Sequence, residues 1–459
     1  MSRANNQVSK RATLLVAAIA SFLTPFAGSS VTIALPSIGK YFSMDAVLLG
    51  WVATSYILAA AALLVPFGRI ADIYGRKKVF AVGIVVYTVS SLLAGFSTSA
   101  TLLVSFRVLQ GVGSAMIFGI AVAILTSAFP ADERGQALGV NVAAVYLGLS
   151  LGPFLGGSLT EHLGWRSVFW VNVPLGLIIV GLVLWKLGGE WAEARGEKFD
   201  LVGSITYSLS LVAVIYGFSV LPSMLGIWLI ILGTLGMLAF FYWEARTESP
   251  VLDINLFRRN PLFAFSNLAA LINYTATFAI AFLLSLYLQY IRGLSPQSAG
   301  LILVAQPAVQ AIFSPLAGRL SDKVEPRVIV SVGMALTFVG LCLLTQMSEE
   351  TMLSFIIGSL ILIGFGLALF SSPNTNAVMS SVENRFYGVA SGTVGTMRMT
   401  GQMLSMGIVM IILAVYIGRV QITPEHYPLL VQSIKIAFTV FAALCFGGIF
   451  ASLARGKMR

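Results

Sequence analysis

The 459-residue sequence is poor in most of what water-soluble domains are built from. Charged residues make up 10% of it and hydrophobic ones 58%, against about 25% charged and roughly 45–50% apolar in ordinary soluble domains. It has only two cysteines, Cys342 and Cys445, and two histidines, His162 and His426. Both cysteines lie inside apolar runs, where a thiol packs as a small hydrophobe, so neither a disulfide nor a metal site is expected. The histidines fall between apolar runs and support no metal or proton relay. There is also no phosphate-binding glycine loop, no metal-ligand spacing and no catalytic carboxylate pair. No enzymatic activity, cofactor or nucleotide hydrolysis is therefore expected.

What the chain has in abundance is apolar length. A hydrocarbon core of about 30 Å takes about 20 residues of helix. Runs of that kind recur at 12–34, 47–68, 79–97, 101–128, 136–160, 167–187, 201–221, 225–245, 261–290, 297–317, 327–346, 351–379, 387–417 and 432–453. The implied class is an all-α polytopic membrane protein with fourteen spans and both ends on one side. The net charge of +10 does not call for nucleic acid. With the N-terminus inside, only Lys40, Arg166, Arg292, Arg419 and Lys435 of the 28 Lys and Arg fall in outer segments, and Arg107 and Arg398 fall within spans. That bias places both termini in the cytoplasm and the chain in the cell (inner) membrane. The first run follows Arg3, Lys10 and Arg11 as a signal peptide would, but it is too long and lacks a clear cleavage site, so it is expected to be retained.

Chemistry concentrates in a few stretches. Gly68-Arg-Ile-Ala-Asp72-Ile-Tyr-Gly75-Arg76-Lys-Lys78 breaks the apolar run between spans 2 and 3. Gly68, Asp72 and Gly75 share one helix face, so the Asp72 carboxylate can meet a neighbouring helix N-terminus or a cation and latch two helices together. Gly318-Arg-Leu-Ser-Asp322-Lys-Val-Glu325-Pro-Arg327 repeats the pattern after span 10, as a duplicated six-helix unit would. Span 4 holds Arg107-Val-Leu-Gln110-Gly111-Val-Gly113. An arginine inside a span costs about 2.5–3.5 kcal/mol on insertion scales, so it needs carbonyl and Gln110 partners or a wet transport path, and both readings stay open. Span 5 carries Gly148, Gly152, Pro153, Gly156 and Gly157, a bare stripe that serves close helix packing or a hinge.

In their order these stretches resemble motifs A, B and C of the major facilitator superfamily, the last being its antiporter signature. Trp165-Arg166-Ser-Val-Phe169-Trp-Val-Asn172-Val-Pro174 resembles the start of span 6 in its exporters, and Glu248 to Arg259 resembles the linker of the fourteen-spanner drug:proton antiporter family. The resemblance covers nearly the whole chain. It implies a 6+2+6 plan: residues 1–187 as an N-terminal six-helix half, 188–260 as two additional helices with flanking linkers, and 261–459 as a C-terminal six-helix half. It further implies alternating access, a latch of Gly68, Asp72, Gly75, Arg76 and Asp322, and a hinge of Gly148, Gly152, Pro153, Gly156 and Gly157.

Two departures shape the expected function. Glu325 stands where the family often has glycine, which weakens the second latch. Proton-coupled exporters of organic cations in this family usually carry a span-1 aspartate shortly before Ala-Leu-Pro; here Ala34-Leu35-Pro36 is present and Ala27 takes the aspartate's place. All 18 acidic residues fall in loops or at span ends, so mid-membrane offers neither a proton carrier nor an attractor for lipophilic cations. Arg107, Gln110, Asn273, Tyr274, Gln306, Gln310, Asn374 and Arg398 are expected to bind substrate. The leading expectation is an exporter of amphipathic neutral or anionic small molecules, monomeric in the lipid bilayer, with protons as a candidate coupling ion. The alternative is a proton-coupled multidrug antiporter for lipophilic cations using a span-end carboxylate such as Glu161. A non-transporting membrane sensor or interaction protein is the third reading, and no soluble domain beyond loops and short tails supports it.

Overall fold

The structure is a computed structural model that describes residues 2–187, 189–192, 194–247, 257–258, 260–321, 323–382 and 387–456. Asp322 and most of the second linker, 248–256 and 259, lie outside these residues, as do the side chains of 2–9, 131–136, 138, 387–389 and 391. Fourteen helices among the described residues are long and apolar enough to cross a membrane. They are spans 1 (Lys10–Phe42), 2 (Ala46–Tyr74), 3 (Arg76–Gly95), 4 (Ala100–Ala128), 5 (Gly139–Leu163), 6 (Ser167–Lys186) and 7 (Leu201–Ser219). Spans 8 (Met224–Glu244), 9 (Pro261–Ile291), 10 (Pro296–Ser321), 11 (Pro326–Leu344), 12 (Leu353–Ser380), 13 (Gly392–Tyr416) and 14 (Pro424–Ala454) complete the set. With fourteen spans among the described residues, the start of span 1 and the end of span 14 lie at one face, called here the terminus face; the other is the far face.

Short polar residues start several of these helices. The side chains of Asp45, Ser99, Asp200, Ser223, Asn260 and Ser295 each accept a hydrogen bond from the backbone N–H three residues on, at 2.8–3.3 Å. Each satisfies one of the donors that a helix start leaves open. Three spans are interrupted. Span 6 breaks at Val171, where Pro174 has no N–H for the Trp170 carbonyl and the Asn172 side-chain amide donates to the Val168 carbonyl at 2.8 Å. Span 10 breaks at Val304, ahead of Pro307, by the same loss. Span 9 breaks between Thr277 and Ile280, with neither proline nor glycine there. The Ala279 N–H turns out of its ladder to donate to the Ser405 hydroxyl of span 13 at 3.0 Å, a side chain inserted into the break.

Span 1 packs along span 5, and span 4 lies against spans 2 and 3; among the last six, span 12 packs on spans 10 and 11, and span 9 on spans 13 and 14. Of the most apolar window of span 2, 83% is buried, against 17% for span 8, so the one is central and the other peripheral. Span 7 packs on span 8 and on both span 2 and span 13. Its Tyr207 and Ser208 hydroxyls donate to the Ala61 and Ala62 carbonyls of span 2 at 3.2 and 2.7 Å, while Ile215 and Phe218 meet Gly407 of span 13.

Candidate functional site

Hydrogen bonds between the first six and last six spans concentrate toward the far face. Ser285 donates to the Thr32 carbonyl at 3.0 Å, Gln289 to Ile33 at 2.9 Å and Tyr290 to Pro36 at 3.4 Å, all from span 9 to span 1. The Gln297 N–H of span 10 donates to the Glu161 carboxylate of span 5 at 3.1 Å, and the Ala46 N–H donates to the Val420 carbonyl at 3.2 Å. Gly157 of span 5 lies against Pro296 and Gln297, and Gly300 against Pro153, with no room for a Cβ on either glycine. Gly148, Gly152 and Gly156 instead lie against the backbone and serines of span 1 between Phe22 and Ser30. The glycine stripe thus has two edges, one packing inside the first six spans and one forming the far-face seal.

At mid-depth the two groups of spans meet around a cation. The Arg398 guanidinium of span 13 stands 5.5 Å from the ring centroids of both Phe118 on span 4 and Tyr274 on span 9. Tyr274 is edge-on to Phe370 of span 12 at 6.3 Å. The Tyr146 side chain of span 5 lies near Tyr274, Arg398, Ser371 and Ser314. Gln310 donates to Ser371 at 3.1 Å. Spans 4, 5, 9, 10, 12 and 13 therefore each contribute to one site made of a guanidinium, aromatic faces, an amide and hydroxyls. Among the described residues Arg398 has no carboxylate partner. A guanidinium held by rings rather than neutralised keeps its charge available to a ligand.

Of the residues expected from sequence, Tyr274, Gln310 and Arg398 come together here. Arg107 and Gln110 are engaged elsewhere. Arg107 is 1% exposed, with Nε donating to the Val52 carbonyl at 2.9 Å, Nη1 to Gln110 Oε1 at 2.5 Å, and the guanidinium 4.3 Å from the Tyr56 ring. Gln110 passes the chain on to Ser91 at 2.7 Å, which ties spans 2, 3 and 4 together. Asn374 donates to the Ser266 carbonyl and accepts from Arg455, both at 3.1 Å. Arg455, just beyond span 14, has its pKa lowered to about 10 by burial, so it stays a cation at neutral pH and fastens the terminus-face ends of spans 9, 12 and 14. Gln306 is half-buried, with its carbonyl packed on Gly364. Asn273 is fully buried with no protein partner for its amide among the described residues. Phe118, Tyr146, Ser314 and Ser371 were not singled out in the sequence; aromatic and hydroxyl side chains are common inside spans, and only the opposing span shows which ones meet a cation.

At the terminus face the turn after span 2 is held within the first six spans. Asp72 Oδ1 accepts from Nε and Nη2 of Arg76 at 2.8 Å each, and Arg76 Nη1 reaches Ser127 of span 4 at 2.5 Å. The segment after span 6 straps across this turn. The Arg76 N–H donates to the Trp191 carbonyl at 2.8 Å, Ala194 N–H to the Asp72 carbonyl at 3.0 Å and Lys77 N–H to the Glu190 carboxylate at 2.8 Å; Arg69 pairs with Glu197. Gly75 has φ +119°, a conformation that favours glycine, and the Glu190 carboxyl packs against its Cα where a Cβ would make that side chain shift. Gly68 has open space around it.

Three comparisons bear on this geometry. The profile described as Major Facilitator Superfamily matches residues 17–257 and 267–457. The riboflavin transporter RibZ of Clostridioides difficile (strain 630) is 28% identical over 96% of each chain. The cephamycin export protein CmcT of Amycolatopsis lactamdurans is 34% identical, covering 84% of this chain and 82% of its own. The multidrug resistance protein Stp of Mycobacterium tuberculosis (strain CDC 1551 / Oshkosh) is 30% identical over 88% of this chain and 76% of its own. In fold the chain resembles the crystal structure of a bacterial homologue of the human lysosomal transporter Spinster, in an inward-facing and unoccupied conformation, with TM-score 0.69, 15% identity and 97% coverage of each chain. With a matching profile over most of its length, fourteen apolar helices and two groups of spans meeting at a mid-depth site, the chain belongs to the major facilitator superfamily and is a multi-pass membrane transporter.

Proposed function

We propose that this transporter exports amphipathic neutral or anionic small molecules by alternating access, binding them at Arg398 between its two six-helix halves, 1–187 and 261–459, with 188–260 as an added pair. The observation that carries the reading is the Arg398 guanidinium at mid-depth, flanked by rings from both halves and without a carboxylate partner among the described residues. A cation so placed attracts an anionic or electron-rich group and repels a lipophilic cation. Tyr274, Gln310 and, when the halves move, Asn273 and Gln306 supply further hydrogen bonds. Arg107, Gln110 and Asn374 would act by holding the walls. The terminus face is cytoplasmic in this reading, which the distribution of Lys and Arg supports, and the conformation described above is then the one sealed outside. Asp72, with Asp322, latches the cytoplasmic side in the opposite conformation, and the glycine stripe of span 5 is the hinge. The protein works as a monomer. The relatives named for riboflavin, cephamycin and multidrug resistance support a small-molecule substrate.

Coupling to protons has one specific foothold. Glu161 is a carboxylate in the far-face seal, accepting from the Gln297 N–H; protonating it would remove a charge-assisted bond and loosen that seal. The deciding experiment is transport in proteoliposomes, with pH gradient and membrane potential imposed separately, for matched anionic and cationic fluorescent amphiphiles. Anion flux that Arg398→Lys reduces and Arg398→Ala abolishes is expected. Cation flux driven by the pH gradient and abolished by Glu161→Gln, with Arg398→Ala still active, would overturn the proposal in favour of a cation antiporter.

A further inference from the structure

A groove between spans 1, 5 and 6 belongs to neither the mid-depth site nor the seal. Its volume is about 350 Å³ and its lining is wholly apolar, with Ala18 and Phe22 on span 1, Leu147 on span 5, and Leu175 and Ile178 on span 6. It opens outward, since Leu147 is 54% and Ile178 52% exposed. The helix period extends two of its walls to the terminus face. On span 1, residues 11, 15, 18 and 22 follow one another at intervals of three and four and form a single stripe, so the exposed Arg11 stands over the groove with the exposed Leu15 between. On span 6, residues 175, 178, 182 and 186 do the same, and the exposed Lys186 ends that stripe beside Trp185, whose ring centroid lies 4.4 Å from its ammonium. From Arg11 to Phe22 the helix rises roughly 16 Å, about half of a hydrocarbon core of about 30 Å. The groove is therefore one leaflet deep, apolar along its length and basic at its mouth, with an aromatic side chain at the level where headgroups lie.

We propose that this groove is a binding site for an anionic phospholipid of the leaflet next to the terminus face. One acyl chain lies along Leu147, Leu175 and Phe22, and the phosphodiester sits between Arg11 and Lys186. Phosphatidylcholine fills the same groove and carries the same phosphodiester, but its choline cation stands beside the two basic side chains and offsets their attraction, so the site selects by the net charge of the headgroup. Each cation near an anionic phosphate contributes about a five-fold preference. The site stands apart from the substrate reading, because nothing in it depends on what Arg398 binds.

The test is native mass spectrometry of the purified full chain with phosphatidylglycerol or phosphatidylcholine carrying identical acyl chains. Retention of one phosphatidylglycerol at lower added lipid than phosphatidylcholine is expected. The double variant Arg11→Gln, Lys186→Gln changes only exposed side chains and should bring the two lipids to equal retention. Leu147→Trp narrows the groove and should lower retention of both, with the headgroup charges untouched. Equal retention of the two lipids by the unaltered chain, an undiminished preference in the double variant, or undiminished retention in Leu147→Trp would each overturn the proposal.

Discussion

Replacing Gly156 by alanine tests whether span 5 lies on span 1 as closely as described. A Cβ at Gly156 would fall 2.6 Å from the Ser30 Cα, 2.8 Å from its Cβ and 2.9 Å from its carbonyl oxygen. Two of these three atoms are backbone, so no rotamer change relieves the overlap and the two helices must separate. Overpacking of that kind costs about 1–3 kcal/mol. The alanine returns up to about 1 kcal/mol, because glycine is a poor residue inside a helix. The net expectation is destabilisation by up to about 2 kcal/mol. Gly181 on span 6 is the control: a Cβ there would meet nothing within 4 Å, so Gly181→Ala collects the propensity gain alone and is neutral or stabilising by up to about 1 kcal/mol. Thermal unfolding in detergent can be followed by a thiol probe on Cys445, which is 0% exposed until the bundle opens. The two substitutions should therefore shift the midpoint in opposite directions. If Gly156→Ala proves as stable as Gly181→Ala, spans 1 and 5 do not make this contact and the stripe is not a packing surface.

Gly157→Ala acts across the seal rather than within one group of spans, since its Cβ would meet Pro296 and Gln297; far-face cysteine labelling should rise, and unchanged labelling would remove Gly157 from the seal. Asp72→Asn keeps an acceptor for Arg76, and the pair is partly exposed, so stability should change by less than about 1 kcal/mol. Loss of its latch should nevertheless shift single-cysteine accessibility toward the conformation sealed at the far face, and no shift would refute the latch. Ser405→Ala leaves the buried Ala279 N–H without its acceptor, which should cost about 1–3 kcal/mol in thermal stability; an unaltered midpoint would mean that the break in span 9 is held by something else.

The spans and their starts could be read along the chain because each depends on local features: apolar length, and Asp, Ser or Asn just before it. The breaks at Val171 and Val304 stand just ahead of Pro174 and Pro307, but Pro66, Pro153, Pro315 and Pro373 lie inside unbroken helices, so proline alone does not mark where a span breaks. The break in span 9 could not be read along the chain, because its cause is Ser405, far away in span 13. Arg107 and Arg398 send the same signal from sequence, one cation inside one apolar run. Their surroundings separate them: Arg107 finds Val52, Gln110 and Tyr56 within the first six spans, whereas Arg398 faces Phe118 across the two groups. The strap after span 6 was equally hidden, since Glu190, Trp191 and Ala194 form no recognisable pattern and work mainly through backbone groups and one carboxylate.

Span 7, wedged against spans 2 and 13, makes the transporter lopsided. A pair of rocking bundles has two long clefts facing the bilayer, and here one is upholstered by a helix of the same chain, bonded through Tyr207 and Ser208. The other, along spans 5 and 10, shows Leu151, Ile312 and Leu316 to the lipid. Separating spans 2 and 13 on that side would require span 7 to move with one of them or to break these contacts. Of the two clefts, the one along spans 5 and 10 is therefore the one whose side chains among the described residues face the bilayer directly.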